Sequence, residues 1–383
     1  MKKIKYLLLL AAVFSASFVF VSCENEDYPY FIKVVPIVDC ATRQAEIPED
    51  ATAQNAPTVG TGNISPTGVF TKDECLVFVN LIGIIDPVTN QAVELKYNQN
   101  VWLTEDGVPQ GMKVLNQTNV TSSAFDIVFI IDNSGSMYEE ADTISAKIAG
   151  FVQYLQSKGI DLRAGVVGYD ESSQIDGALN LSAGSMIISY MTDPNYSGTY
   201  RTKHFAGSDS AQLVARALTH PTEYGENGCV AIDFADKYFS WRANGTRVYI
   251  NFTDEPLQSS GASSNYFISN FLQNWTSAKG SIHTVYSISY WNGTVPDTAS
   301  MSGWWYGGDE RPWKLSEGTG GTTKFIHPNA SDLDLNSLPV TTAIVNASQL
   351  IFVSKDPSKT HNVVITIKDV NVEGRKEYLN QGY

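Results

Sequence analysis

The stretch FDIVFIIDNSGSM, residues 125–137, constrains this chain more than any other. Its first seven residues are nearly all apolar, as in a strand covered on both faces of a sheet. Such a sheet needs helices on both sides, and the following sequence supplies them. Residues 139–159 place Ile144, Ile148, Phe151, Val152 and Leu155 at helical spacing and stop at Gly159. LRAGVVGY (162–169) reads as a second buried strand, and AQLVARAL (211–218) and VAIDFADKYFSW (230–241) as helices. RVYINF (247–252) is a strand, residues 265–280 a helix, SIHTVYSISY (281–290) and TKFIH (323–327) strands, and residues 331–347 a last helix despite Pro339. The alternation predicts an α/β fold with a doubly wound, mostly parallel sheet over residues 123–345.

The flanks follow a different grammar. CLVFVNLIGII (75–85), AVELKY (92–97) and the two halves of NVWLTEDGVPQGMKVLN (100–116) read as short strands joined by turn residues. QLIFVSK, NVVITIKDV and RKEYLN, all after residue 345, do the same. Residues 61–122 and 346–383 are therefore expected to build one all-β, Ig-like sandwich in which the α/β segment is inserted. Residues 23–60 form a tether with one candidate strand, YFIKVVPIV, and a stretch rich in Pro, Thr, Gly and Asn.

In an open α/β sheet, ligands gather at the carboxyl ends of the strands. Asp132, Ser134 and Ser136 directly follow the first strand, and Thr253 and Asp254 directly follow RVYINF. Glu226, in EYGENG, stands at the start of a helix between them. The three groups are expected at one sheet edge.

DNSGSM after a buried strand, an amphipathic helix, and a later FTDEP together resemble a von Willebrand factor A (VWA) domain, over roughly residues 123–345. The resemblance implies a metal-ion-dependent adhesion site. In it Ser134 and Ser136 would bind the ion through their hydroxyls, and Asp132 and Asp254 would hold ion-bound waters. The ion would be Mg²⁺, and its open position would accept a carboxylate from a partner protein. One position departs from the family: a threonine is usual where Glu226 stands, with Thr222 the alternative ligand. Three carboxylates against a divalent ion leave the site net negative, which favours tighter binding and suits Ca²⁺. It also disfavours an acidic ligand. The competing reading is a metal-free turn in which Asp132 caps the following helix.

The N-terminus carries Lys2, Lys3 and Lys5, then an apolar run over residues 6–14, as a secretory signal does. It ends in Phe20-Val21-Ser22-Cys23, which resembles a bacterial lipobox with Cys23 as the lipidated residue; residues 1–22 would be removed. The ENED that follows resembles the acidic tether of Bacteroidetes lipoproteins exported to the cell surface. The expected location is the outer membrane, with the lipid as anchor. Of the other cysteines, Cys40 and Cys75 are a possible disulfide in an oxidising compartment, and Cys229 reads as a buried inert thiol.

A net charge of −14 gives no basic face for nucleic acid. There is no GxSxG elbow and no HExxH. The chain reads as a non-enzyme that binds a protein, either host matrix or an envelope component. A structural envelope subunit that docks without metal is the alternative, and a metal-dependent hydrolase is a remote one. DPNYSGTYR, from Asp193, reads as an ordinary loop although its start resembles a calcium loop. GWWYGGDERPW (303–313) either offers a glycan-recognition surface or folds its aromatics onto the domain. Asp142-Thr143-Ile144, Asp209-Ser210-Ala211 and Asp297-Thr298-Ala299 resemble short O-glycosylation triplets.

Overall fold

The computed structural model describes residues 40–288 and 310–383, apart from 49–50, 61, 90, 117–123 and 244. Cys23, the candidate signal segment, the candidate strand at 30–38 and the triplet at 297–299 lie outside the described residues.

A short helix α1 (Cys40–Gln44) is followed by strands β1 (Gly68–Asp73), β2 (Leu76–Leu81), β3 (Val101–Glu105), β4 (Val108–Pro109) and β5 (Met112–Asn116). The central segment runs β6 (Ala124–Asp132), α2 (Ala141–Ser157), β7 (Asp161–Tyr169), β8 (Ile175–Ala183), α3 (Gly184–Met191), β9 (Phe205–Ala206), α4 (Ser210–Ala217) and α5 (Gly228–Tyr238). It continues through β10 (Gly245–Thr253), α6 (Ile268–Gln273), β11 (Ser281–Ser287), α7 (Trp313–Thr319), β12 (Thr323–Ile326) and α8 (Pro339–Val345). Strands β13 (Ser348–Val353), β14 (His361–Lys368) and β15 (Glu373–Gln381) close the chain.

The central segment is a seven-stranded sheet in the order β12-β11-β10-β6-β7-β8-β9. Every neighbouring pair is parallel except β7–β8. All nine positions of β6 are buried. Its odd-numbered residues, Phe125, Ile127, Phe129 and Ile131, join the core that holds Ile144, Ile148, Phe151, Val152 and Leu155 of α2. Val128 and Ile130 join the opposite core, with Cys229, Val230 and Phe234 of α5. Each such side chain contributes about 1.5–3 kcal/mol through burial. Gly159, at φ +75°, ends the turn after α2 in a conformation that L side chains resist.

Asp126 breaks the apolar run of β6 and is fully buried. Arg242 answers it: Nε donates to Asp126 Oδ1 at 2.7 Å and the Arg242 backbone N–H to Oδ2 at 2.8 Å. The same guanidinium donates through Nη2 to the Phe125 carbonyl at 2.8 Å.

The flanking strands make two antiparallel four-stranded sheets, β1-β2-β13-β5 and β15-β14-β3-β4. In each, a strand from after the α/β segment pairs with strands from before it: β13 lies between β2 and β5, and β14 pairs with β3. Val77, Val79, Leu103, Leu350, Phe352, Val363, Ile365 and Tyr378 share one core, so the sheets pack face to face across both flanks. Cys40 and Cys75 are joined in a disulfide, with Cα atoms 5.6 Å apart, which ties α1 to the start of β2. Replacing Cys75 by Ser is expected to lower stability by about 2–4 kcal/mol in a urea titration run without reductant.

Several elements depart from the sequence reading. AVELKY makes only isolated bridges, Ile85–Ala92 and Tyr97–Val101, because its polar groups are taken by side chains of Asn100 and Asn116. The helix expected over 265–280 is shortened to α6, and the Trp275 indole donates to the Gly280 carbonyl across the turn that follows. Pro339 is the first residue of α8 rather than an obstacle within a longer helix, since proline lacks only an N–H that a first turn leaves unused. α1, β1, β8, α3, β9 and α7 have no counterpart in the sequence reading. Trp313 of the aromatic stretch is fully buried against Tyr286 and Phe325, and residues 303–309 lie outside the described residues. Among the described residues no helix is long and apolar enough to cross a membrane.

Candidate metal centre

The order of the seven strands places a switch point between β6 and β10. From β6 the chain goes to β7 on one side, and later returns to β10 on the other. Asp132 ends β6, and Asp254 follows the last residue of β10, so both stand at the crevice this reversal opens.

The register decides what surrounds Asp132. Its Cα partner on β7 is Tyr169, and on β10 the pair Phe252–Ile131 brings Thr253 alongside. Thr253 Oγ1 donates to Asp132 Oδ2 at 2.9 Å, and the Tyr169 hydroxyl approaches the same oxygen at 3.4 Å. Oδ1 accepts the backbone N–H of Ser134 at 2.9 Å, which turns the chain out of the strand. The hydroxyls of Ser134 and Ser136 lie 3.0 Å apart, and Ser136 Oγ donates to Asp254 Oδ1 at 3.0 Å. Ser134 is buried and Ser136 is exposed, so the cluster opens to solvent beside Gly135 and Ser136.

Glu226 reaches the same place from a third loop. Gly225 takes φ +72°. Asn227 then caps α5, its Oδ1 accepting from the Cys229 N–H at 3.0 Å. The Asn227 amide also donates to the Gln258 carbonyl at 2.9 Å, and the Gln258 N–H donates to the Glu226 carbonyl at 2.7 Å. These bonds hold the Glu226 backbone on both sides and direct its side chain inward. Carboxylate oxygens of Asp132, Glu226 and Asp254 lie within 4.8 Å of one another, and all three residues are buried. Glu226 Oε2 is buried with no hydrogen-bond partner. A Cβ at Gly225 would meet Gln258 Oε1 at 2.0 Å and would strain the left-handed turn. Gly225→Ala is therefore expected to displace Glu226 and weaken divalent-cation binding about tenfold, read by calorimetric titration.

Burial and mutual repulsion act on the acids together. Asp132 is pushed up to about 6, chiefly by burial, against the pull of its bonds from Ser134, Thr253 and Tyr169. Asp254 is pushed up to about 7 by burial and by the charge of Asp132. Glu226 rises furthest, to about 9, through burial and then the charges of Asp132, Glu255 and Asp254. A cluster in this condition either holds protons or needs a cation.

The arrangement fits a hard divalent ion. It offers three carboxylates and two hydroxyls, all oxygen donors, and one buried carboxylate oxygen without a partner. All five residues singled out in the sequence, Asp132, Ser134, Ser136, Glu226 and Asp254, meet here. Thr222 is exposed, and Glu226 is the member of its loop that enters the cluster.

Sequence reasoning missed Glu140, which is 2% exposed and pushed up to about 7, mainly by burial. Its charge also raises Asp254. A glutamate just before a helix resembles ordinary first-turn chemistry, so nothing in the sequence marked it. It also missed the support behind the DNSGSM turn. There Asn133 Nδ2 donates to Asp176 Oδ1 at 2.8 Å, and Thr202 Oγ1 donates to Asn133 Oδ1 at 2.5 Å. Gly168 leaves room for Asn133, since a Cβ there would lie 2.3 Å from Nδ2.

The other candidates are placed elsewhere. Asp193 Oδ1 accepts from the backbone and side-chain amides of Asn195, both at 2.9 Å, and closes its own loop. Cys229 is fully buried, and burial raises its thiol. His283 is buried within β11, and His361 lies in the sandwich, 2.7 Å from Asp106 Oδ2.

No protein-family model matches this chain, and no curated protein does.

Proposed function

We propose that residues 123–345 form a VWA-type domain that holds Mg²⁺ or Ca²⁺ and binds a protein partner at the carboxyl edge of its sheet. In this reading the sandwich built from residues 61–122 and 346–383 is a stalk. Residues 1–22 are a signal peptide, and Cys23 carries the lipid that anchors the protein to the outer membrane, facing the cell surface. The observation that carries the reading is the buried triad of Asp132, Glu226 and Asp254, with one Glu226 oxygen left without a partner.

Ser134, Ser136 and the three carboxylates would hold the ion, which when bound supplies positive charge at an otherwise repulsive site. The protein's own part is to position these oxygens. Thr253 and the Ser134 N–H fix Asp132, and Asn227 and Gln258 fix the Glu226 backbone. Isothermal titration of the full chain with Mg²⁺ and with Ca²⁺ tests the reading. Saturable binding is expected, reduced at least about a hundredfold in Asp132→Ala. No heat of binding, or binding indifferent to Asp132→Ala, overturns it.

One observation favours a second reading, constitutive docking without metal. Ser136 to Asp254 and Thr253 to Asp132 already satisfy two of the acids internally, and raised proton affinities would let the cluster stay partly neutral. Partner capture from outer membranes that survives EDTA would support this second reading.

A further inference from the structure

Three loops that carry or adjoin the acidic cluster each bear an exposed tyrosine. Tyr138, Tyr200 and Tyr224 are 68%, 67% and 78% exposed. Tyr138 lies two residues after Ser136, and Tyr224 two residues before Glu226. The Tyr200 loop adjoins Tyr138: a Cβ at Gly198 would stand 2.9 Å from the Tyr138 ring. Isolated exposed tyrosines need no explanation, but three on loops beside one acidic cluster offer ring faces suited to contact.

The charge on this edge is one-sided. Even with a divalent ion, the three ionised carboxylates leave a negative site. Glu139 and Glu171 are exposed nearby, Glu255 is half-buried, and Glu171 Oε1 reaches the Gly135 N–H at 3.4 Å. The basic residues of the Tyr200 loop are already engaged. Arg201 Nη2 lies 2.6 Å from Asp142 Oδ1, and Lys203 Nζ lies 3.7 Å from Asp176 Oδ2. Lys203 Nζ also sits 5.5 Å from the centroid of the Tyr200 ring, so one of the three rings carries a cation within the chain itself. Tyrosine faces beside carboxylates attract a positive side chain twice over, through the ring quadrupole and through the net charge. An approaching carboxylate would meet repulsion from the surrounding acids.

We propose that this face receives a basic segment of a partner protein, with an arginine or lysine side chain lodged against Tyr138 and Tyr224 beside the acidic cluster. The inference rests on the reading of this edge as a protein-binding site, and it reverses the charge of the ligand that the family resemblance implies.

A phage-displayed library of random dodecapeptides, panned on the full chain in the presence of Ca²⁺, tests it. Enrichment of Arg or Lys is expected. A synthetic peptide of the enriched sequence should bind, by fluorescence polarisation, about tenfold more weakly to the Tyr138→Ala/Tyr224→Ala double variant. Both positions are exposed, so the variant should keep the wild-type circular dichroism and cation titration, which separates loss of contact from loss of fold. Enrichment of Asp or Glu, no enrichment, or affinity indifferent to the tyrosines overturns the proposal. Acidic peptides that need the ion would leave the metal-assisted reading standing and reject this one. Basic peptides selected equally in EDTA, with no cation heat, would do the reverse.

Discussion

At pH 8, adding Ca²⁺ or Mg²⁺ to the chelator-stripped protein is expected to raise its Tm by about 5–10 °C, and at pH 5 by far less. The reason lies in the three acids. Asp132, Asp254 and Glu226 are pushed up to about 6, 7 and 9, above the ordinary carboxylate range near 4. The metal-free folded protein therefore holds these protons more tightly than the unfolded chain. That preference stabilises the fold below about pH 4 and is lost as pH rises through 6 to 9. A cation binds the deprotonated cluster, so its stabilisation grows over the same window. Glu226→Gln removes the group that rises furthest. It should flatten the metal-free loss of stability between pH 7 and 9 and sharply reduce the cation-induced rise. Scanning calorimetry at three pH values, with and without EDTA, measures both. A metal-free profile flat from pH 5 to 9, or an equal cation effect at its two ends, would contradict this account.

Arg242→Met is expected to cost about 3–5 kcal/mol in urea unfolding. Asp126 is fully buried on the central strand, and Arg242 supplies both its charge partner and, through the backbone, a second hydrogen bond. Removing the guanidinium leaves a carboxylate without a counter-charge inside the sheet and frees the Phe125 carbonyl from its Nη2 bond. Asp126→Asn combined with Arg242→Met removes both charges and keeps an acceptor for the Arg242 N–H. It should therefore be less destabilised than Arg242→Met alone. Equal losses would mean that the cost comes from packing of the arginine stem rather than from the isolated charge.

Much of the α/β segment was legible because its elements are periodic. β6, α2, β7, α5, β10 and β11 each carry an apolar run or stripe longer than chance supplies, and each forms where that pattern stands. β8 was not legible. It places Asp176 and Asn180 within an otherwise apolar strand, and their partners, Asn133 and Asp209, come from distant turns. AVELKY shows the opposite failure: its strand-like alternation meets no neighbouring strand beyond isolated bridges, because asparagine side chains take its backbone groups. Propensity describes a segment alone, whereas pairing needs a partner at the right register.

The candidate site divides in the same way. Local pattern was enough to set which residues stand at strand ends: Asp132 and its serines after one apolar run, Asp254 after another, Glu226 at a helix start. That follows from local periodicity, which is a property of neighbouring residues. It took the folded chain to bring these carboxylates within 4.8 Å, to leave one Glu226 oxygen without a partner, and to bury Glu140 beside them. Desolvation and charge repulsion depend on distance through space. Asp132 and Asp254 are far apart along the chain, and the order of the strands alone makes them neighbours.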